Sequence, residues 1–185
     1  MKKRYPKLVL LTSLIACLIL LSCNSDDVKN SRENDLVASV KGVQITTIAI
    51  TQTGRIFVNA PRWRTGNAFA VAEIVNGEPI PYPNQQMNSW DIGNPISEDK
   101  FTAVQAVFAK ENLLYVVDTG NAMFRGVITP HKIYVFDTSS NSIIKTYTLP
   151  DTVYTNNSYI NDLRVDNKNN RIYITILSIL PVLTF

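Results

Sequence analysis

Apolar residues in this chain fall in short clusters separated by polar turns, and the clusters recur at a fixed spacing. Ile56-Phe57-Val58, Leu114-Tyr115-Val116 and Ile172-Tyr173-Ile174 are apolar-aromatic-apolar triplets, each 58 residues from the last. A turn rich in Gly, Asn or Lys precedes each triplet, and a second β-type stretch precedes the turn. β-branched and aromatic residues suit a pleated strand, and the polar turn makes each pair a hairpin. The ungapped repeat predicts pairing of 46–51 with 55–59, 103–109 with 113–118, and 161–166 with 171–175. Two more strands are predicted over 132–137 and 142–149, with Thr138-Ser139-Ser140-Asn141 turning between them. One repeat therefore holds four strands, and four antiparallel strands per repeat is the signature of a propeller blade. After residue 40 no apolar pattern at helical spacing appears. Pro79, Pro81 and Pro83 make 76–84 a turn followed by an extended segment. The chain then holds about two and a half blades, and a closed propeller uses at least about four.

The first residues follow a different rule. Residues 1–7 are basic, and 8–21 are apolar apart from Thr12 and Ser13. That run is shorter than the roughly 20 residues of a spanning helix and fits the apolar part of a secretory signal. Leu20-Leu21-Ser22-Cys23 follows, which resembles a bacterial lipobox. The resemblance implies cleavage before Cys23 and acylation of Cys23, so that the lipid bilayer becomes a partner of the chain. An uncleaved anchor helix or a plain secretory signal are the alternatives. The expected divisions are a lipoprotein signal peptide at 1–22, a flexible polar tether at 23–39 and the partial propeller at 40–175.

Charge changes the picture once that leader is set aside. The whole chain of 185 residues carries a net +3, with 18 Lys and Arg against 15 Asp and Glu. Lys2, Lys3, Arg4 and Lys7 sit in the leader, so from Cys23 onward acids exceed bases by one. A basic nucleic-acid-binding surface is not indicated. Two cysteines make no disulfide framework, and a single histidine makes no structural zinc site.

The hairpins also carry particular residues in a particular order. Pro61-Arg62-Trp63, Val117-Asp118-Thr119-Gly120 and Ser158-Tyr159-Ile160-Asn161-Asp162 are the most telling. Together the set resembles the major royal jelly protein/Yellow family, which has bacterial members, over roughly residues 40–175. The resemblance implies an all-β fold, the N-terminal part of a six-bladed β-propeller, secreted and with a ligand pocket at one mouth of the channel. Family members include pigment-pathway proteins, some linked to dopachrome conversion, food proteins, and biogenic-amine binders of saliva. Fold transfers across such a family more safely than function. The resemblance also implies an Asp-Ser-Gly type turn after the third hairpin. The chain instead has residues 176–185, apolar and without charge, read as an aberrant tail after a frameshift or premature stop. A genuine short protein completed by oligomerisation is the alternative.

Candidate chemistry is sparse. Asn161-Asp162 opens the predicted inner strand of the third blade, where propellers bind ligands. Lactonase-type propellers use an Asn-Asp at a similar place near a divalent cation, and such oxygens suit Ca²⁺. The repeat places Ala103 and Ile45 at the equivalent positions, which supply no ligand. The alternative is that Asn161 and Asp162 bond turn amides. Arg62-Trp63 could stack a ligand, or fill a blade interface and satisfy backbone carbonyls. Asp118-Thr119-Gly120 is expected to be a turn in which Asp118 accepts backbone N–H bonds and Gly120 takes positive φ. His131 is expected at the surface or in a turn. Two activities follow from the resemblance: a protein that binds a small aromatic or amine ligand, or a propeller enzyme of the tautomerase or metal-dependent lactonase kind.

Overall fold

The computed structural model of the chain describes residues 36–178. The leader, Cys23, most of the tether, and residues 179–185 lie outside the described residues. Among the described residues no helix is long and apolar enough to cross a membrane. The described residues of the unit that begins at Val37 form ten strands and two single 3-10 turns.

The strands form three antiparallel sheets in chain order. The first sheet holds β1 (Ile48–Ile50), β2 (Ile56–Asn59), β3 (Val71–Val75) and β4 (Glu78–Pro81), in that spatial order. The second holds β5 (Val104–Lys110), β6 (Leu113–Asp118), β7 (Lys132–Asp137) and β8 (Ser142–Thr148). The third is a hairpin of β9 (Ser158–Asp166) and β10 (Arg171–Ser178). These are two complete blades and the inner half of a third, a partial β-propeller. The Asn76-Gly77 turn joins β3 to β4 with both residues at positive φ, the geometry that a two-residue hairpin favours. Pro79 and Pro81 sit on β4, an edge strand where a missing N–H breaks no ladder.

All three predicted hairpins form, but their registers differ from the ungapped repeat. The facing pairs are Ile48 with Val58, Val107 with Val116, and Leu163 with Ile174. The second strands keep the spacing of 58, and the first strands do not. The hairpin turns are unequal: Ile50 pairs with Ile56, Lys110 with Leu113, and Asp166 with Arg171. The residues equivalent to Asn161 are therefore Gln105 and Thr46, not Ala103 and Ile45. Beyond Thr175 the third hairpin continues through a bulge, so Ile176 and Leu177 pair with Ile160 and Tyr159 as strand residues.

Blade packing follows from the alternation of each strand. One core cluster joins the first two blades: Ala49, Phe57 and Tyr82 meet Val107, Leu114, Val116 and Phe136. Tyr82 lies edge-on to Phe57 and Phe136, with ring centroids 4.8 Å and 5.3 Å away. Full burial of each such aromatic contributes about 1.5–3 kcal/mol, and an edge-on pair about 0.5–1.5 kcal/mol more. A second cluster joins the second blade to the hairpin, with Tyr115, Val117, Ile133 and Val135 against Ile160 and Leu163. Arg55 bridges the first interface at its polar end. It makes a bidentate pair with Glu73 at 2.7 and 2.6 Å and donates to the Thr138 carbonyl of the second blade.

Candidate functional site

The inner strands β1, β5 and β9 lie side by side, and the polar groups at their leading ends meet. The cause is a repeated β-bulge. In the second blade Val104 pairs with Asp118 and Ala106 with Val117, so Gln105 is left out of the ladder. In the third, Ile160 pairs with Ile176 and Asp162 with Thr175, so Asn161 is left out. A bulge re-aims the side chain of its extra residue. The Gln105 Nε2 donates to Asn161 Oδ1 at 3.3 Å. The Gln105 backbone carbonyl, freed from the ladder, accepts from Asn59 Nδ2 at 2.8 Å and Thr46 Oγ1 at 3.0 Å.

Aromatic residues from two loops complete the cluster. The indole Nε1 of Trp63 donates to the Tyr159 hydroxyl at 2.9 Å, which donates to Gln105 Oε1 at 2.6 Å. Phe124 stacks on Tyr159 and Trp63, with centroids 4.6 Å and 5.9 Å away. Tyr159 is buried, Trp63 is half-buried, and 47% of Phe124 is exposed. Burial pushes the Tyr159 hydroxyl up to about 12, partly opposed by the bond from Trp63. It stays protonated across the physiological range.

Phe124 reaches this place through a strained backbone. Met123 and Phe124 both have positive φ, 56° and 57°. For side chains this bulky that conformation costs roughly 1–2 kcal/mol each. The Met123 N–H donates to the Arg62 carbonyl at 2.9 Å, which ties the segment to the first blade.

The four candidate residues separate. Arg62 is buried; its guanidinium donates to the Asn88 carbonyl at 3.1 Å, pairs with Asp91 at 3.5 Å and lies over Trp90. Burial lowers its pKa from the ordinary arginine value, and the nearby Asp91 and Asp118 oppose that shift. It packs a blade, and only its neighbour Trp63 reaches the cluster. Asp162 is turned away from Asn161 by its own contacts. One oxygen accepts from the Leu163 N–H at 2.7 Å and the other pairs with Arg164 at 2.7 Å. The Asn161 oxygen accepts from Gln105 at 3.3 Å. No group of three or more His, Cys, Asp or Glu side chains that could hold a metal ion occurs among the described residues.

The Asp118 turn forms as expected. Its carboxylate accepts from the N–H groups of Thr102, Ala103 and Gly120 at 2.7, 2.8 and 3.0 Å, and Gly120 has φ of 57°. His131 departs from expectation. It lies where β7 begins but is fully buried, not at the surface. Its Nδ1 is 2.6 Å from the Thr119 carbonyl and its ring packs on Tyr154 at 4.2 Å. Thr119 is itself fully buried, and the imidazole gives its carbonyl a partner away from water.

The family description "Major royal jelly protein" matches residues 86–176, from the loop before β5 into β10. Over that stretch the chain matches the major royal jelly protein/Yellow family. The "Protein yellow" of Drosophila pseudoobscura pseudoobscura is 33% identical over 123 residues, 60% of this chain and 21% of that protein. The "Protein yellow" of Drosophila madeirensis matches equally, and that of Drosophila melanogaster is 32% identical with 22% of its length covered. The chain thus spans about a fifth of the length of the curated relatives it matches.

Gln105, Tyr159 and Phe124 were not candidates from sequence. Gln105 is found by allowing the three hairpin turns to differ in length before superposing the inner strands. Tyr159 sits two residues before Asn161, at the pleat position that shares its face of a regular strand. Phe124 carries no such signal, because its placement depends on the left-handed backbone at 123–124.

Proposed function

We propose that this chain is an exported propeller protein of the royal jelly/Yellow type, held in the bacterial envelope by acylated Cys23, that binds a small aromatic ligand where Trp63, Phe124 and Tyr159 meet. The observation that carries the reading is Phe124. A large apolar ring half-open to solvent, held by two strained residues against two other aromatic rings, supports a stacking surface for a flat molecule. The polar groups of Gln105 and Asn161 beside it supply orientation, the usual division of labour in a small-molecule site.

Binding is better supported than catalysis by the groups in the cluster. Trp63, Gln105 and Asn161 do not titrate, and Tyr159 is held protonated far above neutral pH. A tautomerase or lactonase needs a general acid or base near the working pH. The test is titration of the full chain with indole and naphthol probes, followed by the fluorescence of Trp63. Trp90 is buried and makes a steady background. Saturable quenching is expected, with affinity about tenfold lower in Phe124→Ala. Absence of saturable binding by any flat aromatic probe would refute the reading.

A further inference from the structure

We infer that Asn161 presents hydrogen-bond donors to the ligand, so that the site selects an aromatic molecule bearing a carboxylate or carbonyl oxygen over one bearing an amine. This rests on the aromatic-ligand reading and adds its polarity.

The direction of the relay is set at its buried end. An indole N–H can only donate. Trp63 donates to the Tyr159 oxygen, so the single hydroxyl hydrogen of Tyr159 points onward to Gln105. The Gln105 atom that receives it must be the carbonyl oxygen. The reverse amide would leave the Tyr159 hydroxyl accepting twice, with its own hydrogen unpartnered at a residue only 3% exposed. The Gln105 NH₂ therefore lies on the Asn161 side and donates to Asn161 Oδ1. Asn161 has its oxygen engaged, and its two N–H hydrogens have no partner among the described residues. Asn161 is also the exposed end of the relay. An acceptor oxygen from a ligand completes the chain of bonds. With the Asn161 oxygen facing Gln105, an ammonium group or a metal ion would meet N–H hydrogens there instead. Because Tyr159 keeps its proton to about pH 12, the polarity does not reverse within the physiological range.

The test uses two probes that share a ring and differ at the end group, indole-3-acetate and tryptamine. Each is titrated calorimetrically into the purified full chain in detergent. The acid is expected to bind about tenfold tighter, the effect of one charge-assisted hydrogen bond. Asn161→Asp replaces the donors with acceptors at an exposed position and should reverse the preference with an unchanged thermal midpoint. Gln105→Glu is an independent check. Its two oxygens accept from Tyr159 and from Asn161, so the Asn161 amide turns over and tryptamine becomes the better ligand. Equal or tighter binding of tryptamine by the native chain would overturn the inference while leaving the aromatic site intact. So would an acid preference that survives in Asn161→Asp. If neither probe binds the native chain, the aromatic-site reading itself fails and the polarity falls with it.

Discussion

Gln105 and Asn161 are the same bulged residue one blade apart, and the amide of one is hydrogen-bonded to the amide of the other across 3.3 Å. A bulge lets an inner strand change which face a side chain takes without breaking the hairpin. Here it brings two amides together beside Tyr159. The relay from Trp63 should then behave as a unit. Tyr159→Phe leaves the Trp63 N–H and the Gln105 oxygen without their shared partner, at a cost of about 1–3 kcal/mol. Trp63→Phe removes the first donor only. Urea melts of the two single variants and the double variant should be non-additive, by about 0.5 kcal/mol or more. Simple additivity would mean that the hydrogen bonds are not coupled.

Asp118 gathers three backbone N–H groups at the end of β6, and none of the three has another acceptor among the described residues. Asp118→Ala should cost about 3 kcal/mol or more, since each orphaned buried donor costs roughly 1–3 kcal/mol. Gly120 is constrained twice. Its φ is positive, and a Cβ there would come within 2.1 Å of the Thr129 carbonyl oxygen. Gly120→Ala should destabilise by about 2–4 kcal/mol through backbone displacement. A denaturation midpoint unchanged by either substitution would contradict this account of the turn.

His131 gives the fold a pH dependence. Burial holds its imidazole below the ordinary value of 6.5, and the bond at the Thr119 carbonyl opposes this only in part. Below about pH 6.5 the unfolded chain takes up a proton that the folded chain refuses. Stability is therefore complete above that pH and falls as pH drops toward the depressed folded value, by at most about 1.4 kcal/mol per pH unit. Urea midpoints between pH 7.5 and 5 should show this slope. His131→Gln should flatten it, whatever its effect on overall stability.

Much of this fold is legible in the sequence because strand alternation and turn composition are local properties. The hairpins around Phe57, Tyr115 and Tyr173, the outer strands β7 and β8, and the Asp118-Thr119-Gly120 turn could all be read that way. The site was less legible for a geometric reason. A repeat aligned without gaps places Asn161 over Ala103 and Ile45, because it treats turns of different length as equal. The pairing of each hairpin puts it over Gln105 and Thr46 instead. Arg62 and Trp63 are adjacent in sequence yet separate in space. An arginine inside a blade must find carbonyls and a ring, and Asn88 and Trp90 supply them.

The proposed lipid anchor at Cys23 rests on the sequence around it. Cys23 directly follows Leu20-Leu21-Ser22 at the end of an apolar run too short to span a bilayer. Cys23→Ser should abolish incorporation of labelled palmitate and shift the chain out of the membrane fraction. A native chain that takes up no label, with Cys23→Ser still sedimenting with membranes, would exclude lipidation.

Arg55 offers the most direct test of how the first two blades are held. It lies next to the end of the hairpin turn before β2, yet its contacts reach β3 through Glu73 and the second blade through the Thr138 carbonyl. Its cation also lies 5.1 Å from the centre of the Phe57 ring and 5.7 Å from that of Tyr82. The hydrogen bonds it donates to Glu73 raise its pKa, burial opposes that shift, and the guanidinium is charged at every relevant pH. About a quarter of the Arg55 side chain and a fifth of Glu73 are exposed, so solvent screens part of the attraction. Arg55→Ala should cost about 1–2 kcal/mol, most of it from the planar bidentate pair and the interblade carbonyl. Arg55→Lys should recover less than half, because an ammonium cannot bond both Glu73 oxygens and a carbonyl in one plane. Combined with Glu73→Ala in a double-mutant cycle, the coupling should be about 1 kcal/mol and shrink in high salt. A lysine variant as stable as the native chain would show that charge alone, rather than the guanidinium fork, holds the two blades together.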